Sequence, residues 1–206
     1  MNKDMKDNLL FAIYTGEKKY EYGNSMAKHI AEKMRTIYGG YWSVFASLDS
    51  HGNKFNWSEG SYASFGYQSR RWHVYKNDCG SSIASKITND PVGSFYVRVS
   101  FDSSTNMNDR VKEDLLFAIW TSEASVLGVQ GTMDRIHERM QKVYGGGWSA
   151  HFSDYDEDRS WPKAYSHFNS IPGYYAEFTE TVTKPILDTL DVRNRTMEYF
   201  VFKQKC

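Results

Sequence analysis

The sequence lacks an excess of charge of either sign, since its 206 residues include 25 Lys and Arg residues and 25 Asp and Glu residues. Proteins that bind nucleic acids usually carry a basic face or run, whereas the basic doublets here are Lys18-Lys19 and Arg70-Arg71 alone. There is no run of roughly 20 apolar residues, the length that spans a bilayer, and residues 1–8 are too polar for a secretory signal. We therefore expect neither a nucleic-acid partner nor a membrane association.

Cysteine is almost absent, because Cys79 and Cys206 are the only two. Cys79 lies in a Gly/Ser-rich stretch and Cys206 is the last residue, so we do not expect them at matching positions of the internal repeat. A disulfide framework needs regularly spaced pairs, and disulfides are rare in reducing compartments. We predict two unpaired cysteines and a cytoplasmic protein.

No catalytic or metal-binding set is recognisable. The six histidines are His29, His51, His73, His137, His151 and His167, and none belongs to a spacing typical of a metal site. Asp154, Asp156 and Asp158 imitate the start of a calcium-binding loop. Arg159 stands where that loop needs glycine, and Tyr165 stands where it needs glutamate. We predict no cofactor, no metal ion and no enzyme activity.

What the sequence does contain is an internal repeat. Residues 9–15 recur as 115–121, residues 30–34 as 136–140, and residues 38–43 as 144–149, all with the offset of 106 that 115 − 9 gives. Beyond these blocks we match 62–65 with 165–168, and 95–99 with 198–202. Length differences fall at 49–58 and 155–160, which are polar and predict loops. These matches divide the chain into copies at 1–101 and 110–206, joined by a linker at 102–109.

Apolar spacing predicts the elements of each copy. Met5, Leu9, Leu10 and Ile13 predict a first helix. A second is predicted at 25–38, capped by Ser25, with Met26, Ile30, Met34 and Ile37 on one face and Gly39-Gly40 after its end. Strands are predicted at 42–46, 61–67, 72–75 and 94–101, with a short helix or turn at 82–87. The equivalents in the second copy are strands at 148–152, 164–168, 174–179 and 197–203, and a turn at 185–190.

Helices followed by runs of strands predict an α+β fold. The predicted architecture is two tandem copies of a helix-helix-four-strand unit with an antiparallel sheet. A unit this small buries a limited core, so we expect the two copies to pack against each other as a pseudo-dimer. Trp42 and Trp148, which match in the repeat, are predicted to be buried equivalents.

The junction between the second helix and the first strand resembles the dynein light chain family of small dimeric hub proteins. The residues concerned are Ile30, Tyr38 and Trp42, then Gly60-Ser61-Tyr62, and the basic-then-aromatic strand at 70–75. The second copy has Ile136, Tyr144, Trp148 and Ala164-Tyr165. The resemblance implies two-fold-like pairing of the copies, peptide binding by strand addition, and an association with the cytoskeleton. The sequence departs from the family at 77–93, where a long connection replaces a tight turn.

Our leading hypothesis is a non-enzymatic interaction module that binds a partner protein or linear peptide, with further assembly of the pseudo-dimer also open. The candidate partner-binding residues are aromatic: Tyr62, Phe65, Tyr67, Trp72, Tyr75, Tyr165, Phe168 and Tyr175. One alternative is a module for small ligands or carbohydrates that uses the loop aromatics Trp57 and Trp161. The other is a cysteine-dependent enzyme in which Cys79 acts with His73 or His167.

Overall fold

The computed structural model of the chain describes residues 1–20, 23–47, 51–80, 99–124, 128–155, 164–185 and 192–206. Within these ranges, four α-helices and nine β-strands form an α+β fold with two antiparallel sheets. The predicted fold class is confirmed at this level. None of the helices in these ranges is long and apolar enough to cross a membrane.

The chain repeats one order of elements, two helices followed by four strands, and the short strand β5 stands between the two sets. The first half contains α1 (Lys3–Lys19), α2 (Asn24–Tyr38), β1 (Trp42–Ser47), β2 (His51–Phe55), β3 (Trp57–Tyr67) and β4 (Arg70–Asn77). The second half contains β5 (Val99–Phe101), α3 (Asp109–Ala124), α4 (Gly128–Tyr144), β6 (Trp148–Tyr155), β7 (Tyr165–His167), β8 (Ser170–Pro185) and β9 (Val192–Gln204).

The second helix forms nearly where the periodicity predicts it. Three of its four predicted apolar positions are buried, but Ile37 in the last turn is 47% exposed. The helix is capped by Gly23 without a side-chain hydrogen bond, so the prediction of a Ser25 cap is wrong. The end of the helix at Gly39 is confirmed, because this glycine has φ 63°, a conformation that residues with a Cβ rarely adopt.

Each sheet contains one strand from the other half of the chain. The first sheet has the order β3-β4-β1-β7 and the second has the order β2-β6-β9-β8-β5. β2 therefore pairs with β6, and β7 pairs with β1; we call β2 and β7 the exchanged strands. Their reciprocal placement shows that the loop predicted at 49–58 is wrong. Its polar residues form a strand because the pairing partner lies almost 100 residues away, where no local pattern signals it.

Strand register shows which parts of the two halves are equivalent. Trp42 lies opposite Lys76 and Trp148 lies opposite Lys203, so β4 corresponds to β9 with an offset of 203 − 76 = 127. Tyr62 of β3 and Tyr175 of β8 lie opposite residues of β4 and β9 that are equivalent at the offset of 127. β3 therefore corresponds to β8 with an offset of 113. Residues 62–65 thus match 175–178. The sequence matches of 62–65 with 165–168, and of 95–99 with 198–202, are wrong.

The described part of the strand predicted at 94–101 is residues 99–101, and it belongs to the second sheet. Residues 94–98 lie outside the described residues, and β5 pairs with the outer side of β8. The turns predicted at 82–87 and 186–190 also lie outside the described residues, whereas Pro185 ends β8. The predicted linker leads directly into α3, which begins at Asp109.

Each sheet carries its two helices on one face, and an apolar core fills the space between them. Trp42 and Trp148 lie at the centre of these cores with no exposed surface. Their indole N–H groups donate to the carbonyls of Gly39 and Gly145 at 3.0 and 3.2 Å. The prediction that the two tryptophans are buried equivalents is confirmed.

The opposite faces of the two sheets pack against each other. Phe45 of β1 and His151 of β6 are equivalent residues, since 151 − 45 = 106, and their ring centroids lie 4.7 Å apart. Phe200 and Phe168 close around the same point, with centroids 5.7 and 6.1 Å from that of Phe45. The contact between equivalent positions indicates a local two-fold relationship between the halves.

Candidate partner-binding site

The exchanged strands are edge strands, and each runs beside a helix of the sheet that it joins. β7 lies beside α2, and β2 lies beside α4. We call these two places the α2/β7 groove and the α4/β2 groove. An edge strand turns a row of backbone N–H and C=O groups outward, and another chain can pair with these groups.

In the α2/β7 groove, a helix side chain holds the centre of the edge strand. The backbone N–H of Ser166 donates to Oδ1 of Asn24, in the first turn of α2, at 2.8 Å. The neighbouring ring of Tyr165 lies under the guanidinium of Arg70, whose central carbon is 3.9 Å from the ring centroid. Because Tyr165 also packs against the first core, β7 is anchored on its inner side.

The α4/β2 groove repeats this arrangement with donor and acceptor reversed. Nε2 of Gln130, in the first turn of α4, donates to the backbone carbonyl of Asn53 at 3.1 Å. Gln130 is the repeat equivalent of Asn24, since 130 − 24 = 106. One residue along the strand, Nζ of Lys54 lies 3.2 Å from Oδ1 of Asp134 on the helix.

Each edge strand therefore keeps an outward backbone group beside the one that the helix binds. In an antiparallel strand, the N–H and C=O of one residue point to the same side. The carbonyl of Ser166 and the N–H of Asn53 consequently face their grooves, next to the side chains of Asn24 and Gln130. An added strand could pair with these groups after displacing the helix amide.

The two grooves differ in the ionisable groups that line them. His137 of α4 is 7% exposed, and burial lowers its pKa to about 4, with the Lys54 ammonium acting in the same direction and Asp134 opposing it. Burial also lowers the pKa of His167 in β7. Both imidazoles are thus neutral near pH 7. Ala31 occupies the place of His137 in the first half, since 137 − 31 = 106.

The eight aromatic residues predicted from the sequence do not form one surface. Trp72 and Tyr75 are fully buried, so neither side chain is available to a partner in this structure. Phe65 and Tyr67 pack against the first core. The one predicted residue within an exchanged strand is Tyr165.

The remaining three predicted residues lie between or beside the sheets. Phe168 stacks on Phe202 with ring centroids 4.5 Å apart. The hydroxyls of Tyr62 and Tyr175 hydrogen-bond Nδ1 of His73 and Oε2 of Glu177 at 3.0 and 2.8 Å. Burial and the adjacent Glu177 carboxylate raise the pKa of Tyr175. These residues help to hold the structure together, and their role in partner binding stays a prediction.

Sequence reasoning missed the polar residues that define the grooves, namely Asn24, Gln130, Asn53 and Ser166. One signal was present, because Asn24 and Gln130 are both amides at the same offset as the three repeat blocks. The strand residues carry no comparable signal, because polar composition predicts a loop at 49–58, and the sequence match of 62–65 with 165–168 places Ser166 in the wrong strand.

A polar chain runs between the sheets from the α4/β2 groove. The side chain of Asn53 donates from Nδ2 to Nε2 of His73 at 3.3 Å and accepts at Oδ1 from Nδ1 of His151 at 2.7 Å. The Tyr75 hydroxyl lies 2.8 Å from Nε2 of His151. Asn53 thus turns its backbone to the groove and its side chain to the interface between the sheets.

The cysteines join the two halves covalently. Cys79 and Cys206 form a disulfide with Cα atoms 6.1 Å apart, so the prediction that they are unpaired is wrong. Each follows its strand by two residues, Cys79 after β4 and Cys206 after β9, which makes them equivalent. The incorrect match of the last strands hid this relationship.

Hydrogen bonds on both sides of the disulfide repeat the same symmetry. Nδ2 of Asn77, the last residue of β4, donates to the carbonyl of Asn169 at 3.2 Å. Nε2 of Gln204, the last residue of β9, donates to the carbonyl of Asn56 at 2.8 Å. A Cβ on Gly147 would clash with the backbone of the segment that leads to Cys79, so the halves meet closely here.

The other candidate sites give little support to a metal-binding, carbohydrate-binding or catalytic function. In the ranges that the structure covers, no group of three His, Cys, Asp or Glu side chains is placed to hold a metal ion. Trp57 is 46% exposed at the start of β3, whereas Trp161 and most of the acidic loop at 154–158 lie outside the described residues. Cys79 is bonded to sulfur and offers no thiol.

Comparison with models of known protein families finds no match, and comparison with curated proteins finds none either. The resemblance to dynein light chains consequently remains an inference from the residues quoted above.

Proposed function

We propose that the chain is a non-enzymatic protein-interaction module that binds an extended segment of a partner protein by strand addition. The segment lies in the α2/β7 or the α4/β2 groove and pairs with the exchanged strand. The observation that carries this proposal is the outward backbone of Ser166 and Asn53, each already hydrogen-bonded by a helix amide. Strand addition obtains its affinity from such main-chain hydrogen bonds.

The fold contributes a second argument. We interpret the two halves as helix-helix-four-strand units that form a pseudo-dimer similar to the homodimer of dynein light chains. The reciprocal exchange of β2 and β7 supports this interpretation, as does the pairing of equivalent cysteines. The unit boundaries of 1–101 and 110–206 remain predictions, and the pairing of β5 with β8 favours assigning β5 to the second unit.

The rival functions have weaker support. A cysteine nucleophile acts as a thiolate, and the disulfide removes the thiol of Cys79. A carbohydrate-binding module would use the exposed Trp57, whose ring already packs edge-on against Phe55 and obliquely against Tyr62, with centroids 5.6 and 5.3 Å away.

The location of the protein also remains a proposal. We retain the cytoplasm and an association with the cytoskeleton as predictions from the family resemblance. The cysteine argument no longer supports them, because disulfides persist mainly in oxidising compartments.

The proposal is tested by selecting peptides from a random 12-residue display library on the intact chain and measuring the dissociation constants of the selected peptides. Ser166→Pro removes the outward N–H of β7 and leaves the ladder to β1, because proline is tolerated at such edge positions. His51→Pro does the same for β2, whose residue 51 has the outward parity of residue 53. Each proline variant is compared with the alanine variant of the same residue.

We expect the proline variant of the groove in use to weaken binding at least tenfold, and its alanine control to bind as the wild type does. Selected peptides that bind equally well to both proline variants would contradict strand addition. Binding of arrayed sugars that is lost in Trp57→Ala would favour the carbohydrate alternative.

A further inference from the structure

The two sheets differ at the edge that lies opposite the exchanged strand. In the second sheet this side ends in β8, and β5 pairs with the outer side of β8. In the first sheet it ends in β3, and none of the described residues pairs with the outer side of β3. The backbone N–H and C=O groups on that side of β3 can therefore accept a further strand.

β3 and β8 are equivalent down to an irregularity in their course. Each strand changes register against its neighbour, within 57–62 in β3 and within 170–175 in β8. Both irregularities contain a glycine with positive φ, 71° at Gly60 and 84° at Gly173. Since the regular parts of the two strands begin at the same place, a residue of β3 turns its backbone to the same side as its equivalent in β8.

The contacts of β8 show how a segment of chain uses this edge. The backbone carbonyl of Glu177 accepts from the N–H of Asp102 at 2.8 Å, and the N–H of Glu177 donates to the hydroxyl of Thr105 at 3.0 Å. The N–H of Tyr175 donates to Oδ1 of Asn106 at 3.1 Å, and its carbonyl accepts from the N–H of Asn106 at 3.0 Å. The groups that β8 contributes belong to the main chain and do not depend on its side chains.

The equivalent main-chain groups of β3 belong to Tyr62 and Ser64, at the offset of 113. In an antiparallel strand the N–H and C=O of one residue point to the same side, and this side alternates along the strand. Gly66 consequently also turns its N–H and C=O outward. Ser64 and Gly66 are exposed, so an added segment would find on β3 the same groups that β5 and the residues after it find on β8.

The apolar core is also less covered beside β3 than beside β8. Phe178 of β8 and Val111 of α3 are 0% and 1% exposed, whereas their equivalents Phe65 and Met5 are only partly buried. In the second half, β5 places Phe101 beside Phe178 with ring centroids 5.5 Å apart. An aromatic residue in the corresponding place would cover Phe65.

A lysine stands at the same position beside this place in both halves. Nζ of Lys112 in α3 lies 5.3 Å from the centroid of the Phe101 ring, and it also pairs with Asp109 at 3.7 Å. Lys6 of α1 is the equivalent of Lys112 at the offset of 106, and it is exposed. Because an ammonium group attracts the face of an aromatic ring, Lys6 favours an aromatic residue at this end of β3.

We propose that the outer edge of β3 is a further strand-addition site, at which an extended segment of a partner protein pairs antiparallel with residues 62–67. The segment has the chemistry that covers β8, namely an apolar and an aromatic residue two positions apart, like Val99 and Phe101, which pack against the core. Residues with hydroxyl or amide side chains follow them. This site is separate from both grooves, because β3 and β7 are opposite edges of the first sheet and β2 belongs to the second.

The test measures the binding of a fluorescent peptide with the sequence of residues 97–106 to the intact chain by fluorescence anisotropy. Ser64→Pro removes an outward N–H of β3 and leaves the ladder to β4, and Ser64→Ala is its matched control. We expect the alanine variant to bind as the wild type does, and the proline variant to bind about tenfold more weakly or worse. Replacing Phe101 by alanine in the peptide should weaken binding similarly. Ser166→Pro and His51→Pro, which alter the grooves, should leave it unchanged.

A second measurement needs no variant of the protein. Saturating peptide should slow the hydrogen exchange of the backbone amides of Ser64 and Gly66, followed by NMR, and should leave the amide of Asn53 in the α4/β2 groove unchanged. This measurement decides the question if Ser64→Pro shifts the unfolding midpoint. Unaltered exchange at Ser64 and Gly66 with the peptide bound would overturn the proposal.

The affinities can overturn the proposal in other ways. A peptide that does not bind at millimolar concentration, or that binds Ser64→Pro as tightly as Ser64→Ala, excludes the β3 edge. Loss of binding in Ser166→Pro or His51→Pro alone would place the peptide in a groove, which would support the proposed function and not this site. A wild type that dimerises without peptide, and that Ser64→Pro makes monomeric, would identify a second copy as the occupant instead.

Discussion

The same place in the two halves is filled by a neutral pair in one and by a buried ion pair in the other. In the first half, Nδ2 of Asn8 donates to the hydroxyl of Tyr38 at 2.8 Å. In the second half, the equivalent Tyr144 donates to Oδ2 of Asp114 at 2.6 Å. Asp114 is 4% exposed and also pairs with Arg139.

The repeat has thus conserved a hydrogen bond between the two helices of each half while changing its charge. The tyrosine donates in the charged version and accepts in the neutral one. Burial and the hydrogen bond to Asp114 raise the pKa of Tyr144. Packing therefore constrains the shape of this position more strictly than its electrostatics.

The largest effect is expected where the halves are most alike. Trp42→Ala and Trp148→Ala each remove a fully buried indole, and we expect each to lower the free energy of unfolding by about 3–5 kcal/mol. Urea unfolding followed by circular dichroism measures this change. A variant that unfolds at the wild-type midpoint would disprove the equivalence of the two positions.

Mutation of the charged pair should lower the free energy of unfolding more than mutation of the neutral pair. Asp114→Ala leaves Arg139 without its buried carboxylate and should cost about 3–5 kcal/mol. Asn8→Ala removes a neutral hydrogen bond and should cost about 1 kcal/mol. Asp109→Ala, at a side chain 98% exposed, is the control and should change little. Equal losses for Asp114→Ala and Asn8→Ala would show that the ion pair adds nothing to the second half.

The covalent link between the halves should contribute next. Replacing both Cys79 and Cys206 by serine removes a crosslink between residues 127 positions apart. Crosslinks typically stabilise by about 2–4 kcal/mol, mainly through the unfolded chain. The denaturation midpoint should fall by a corresponding amount, and thiol titration of the unreduced, unfolded wild type should find no free thiol. Two titratable thiols would contradict the disulfide.

The last expected effect depends on pH and is confined to one groove. His137 has a folded-state pKa of about 4 against an ordinary value of 6.5. The unfolded chain therefore binds a proton between these values that the folded chain does not, so stability falls as pH drops from about 6.5 toward 4. The loss at pH 5 is on the order of 2 kcal/mol.

The matched control for this effect is His137→Ala, because alanine already occupies the equivalent position, Ala31. Urea midpoints at pH 7 and pH 5 should differ less in this variant than in the wild type. An unchanged difference between the two pH values would show that His137 does not titrate as described.

Sequence reasoning recovered the features of the fold that depend on local pattern. The gapless offset of 106 located both pairs of helices and the strands that begin at Trp42 and Trp148. Apolar spacing found the core face of α2, except for Ile37. It could not find β2, because a polar edge strand is specified by its partner rather than by its own alternation.

The site was harder to predict than the fold. Aromatic residues suggested a binding surface, but Trp72 and Tyr75 are core residues, as large aromatic side chains commonly are. The groove is defined by amides such as Asn24 and by backbone groups, which carry no recognisable motif. The cysteine pair was missed because the offset changes from 106 to 127 between the first strand and the last, after two length differences.

The most direct test of the account is the behaviour of residues 1–103 expressed alone. This fragment contains β2 without its partner β6, and its sheet lacks β7. If the halves depend on strand exchange, light scattering and urea unfolding should find an unfolded chain or a fragment that pairs with itself. A monomeric fragment that unfolds cooperatively would contradict the pseudo-dimer.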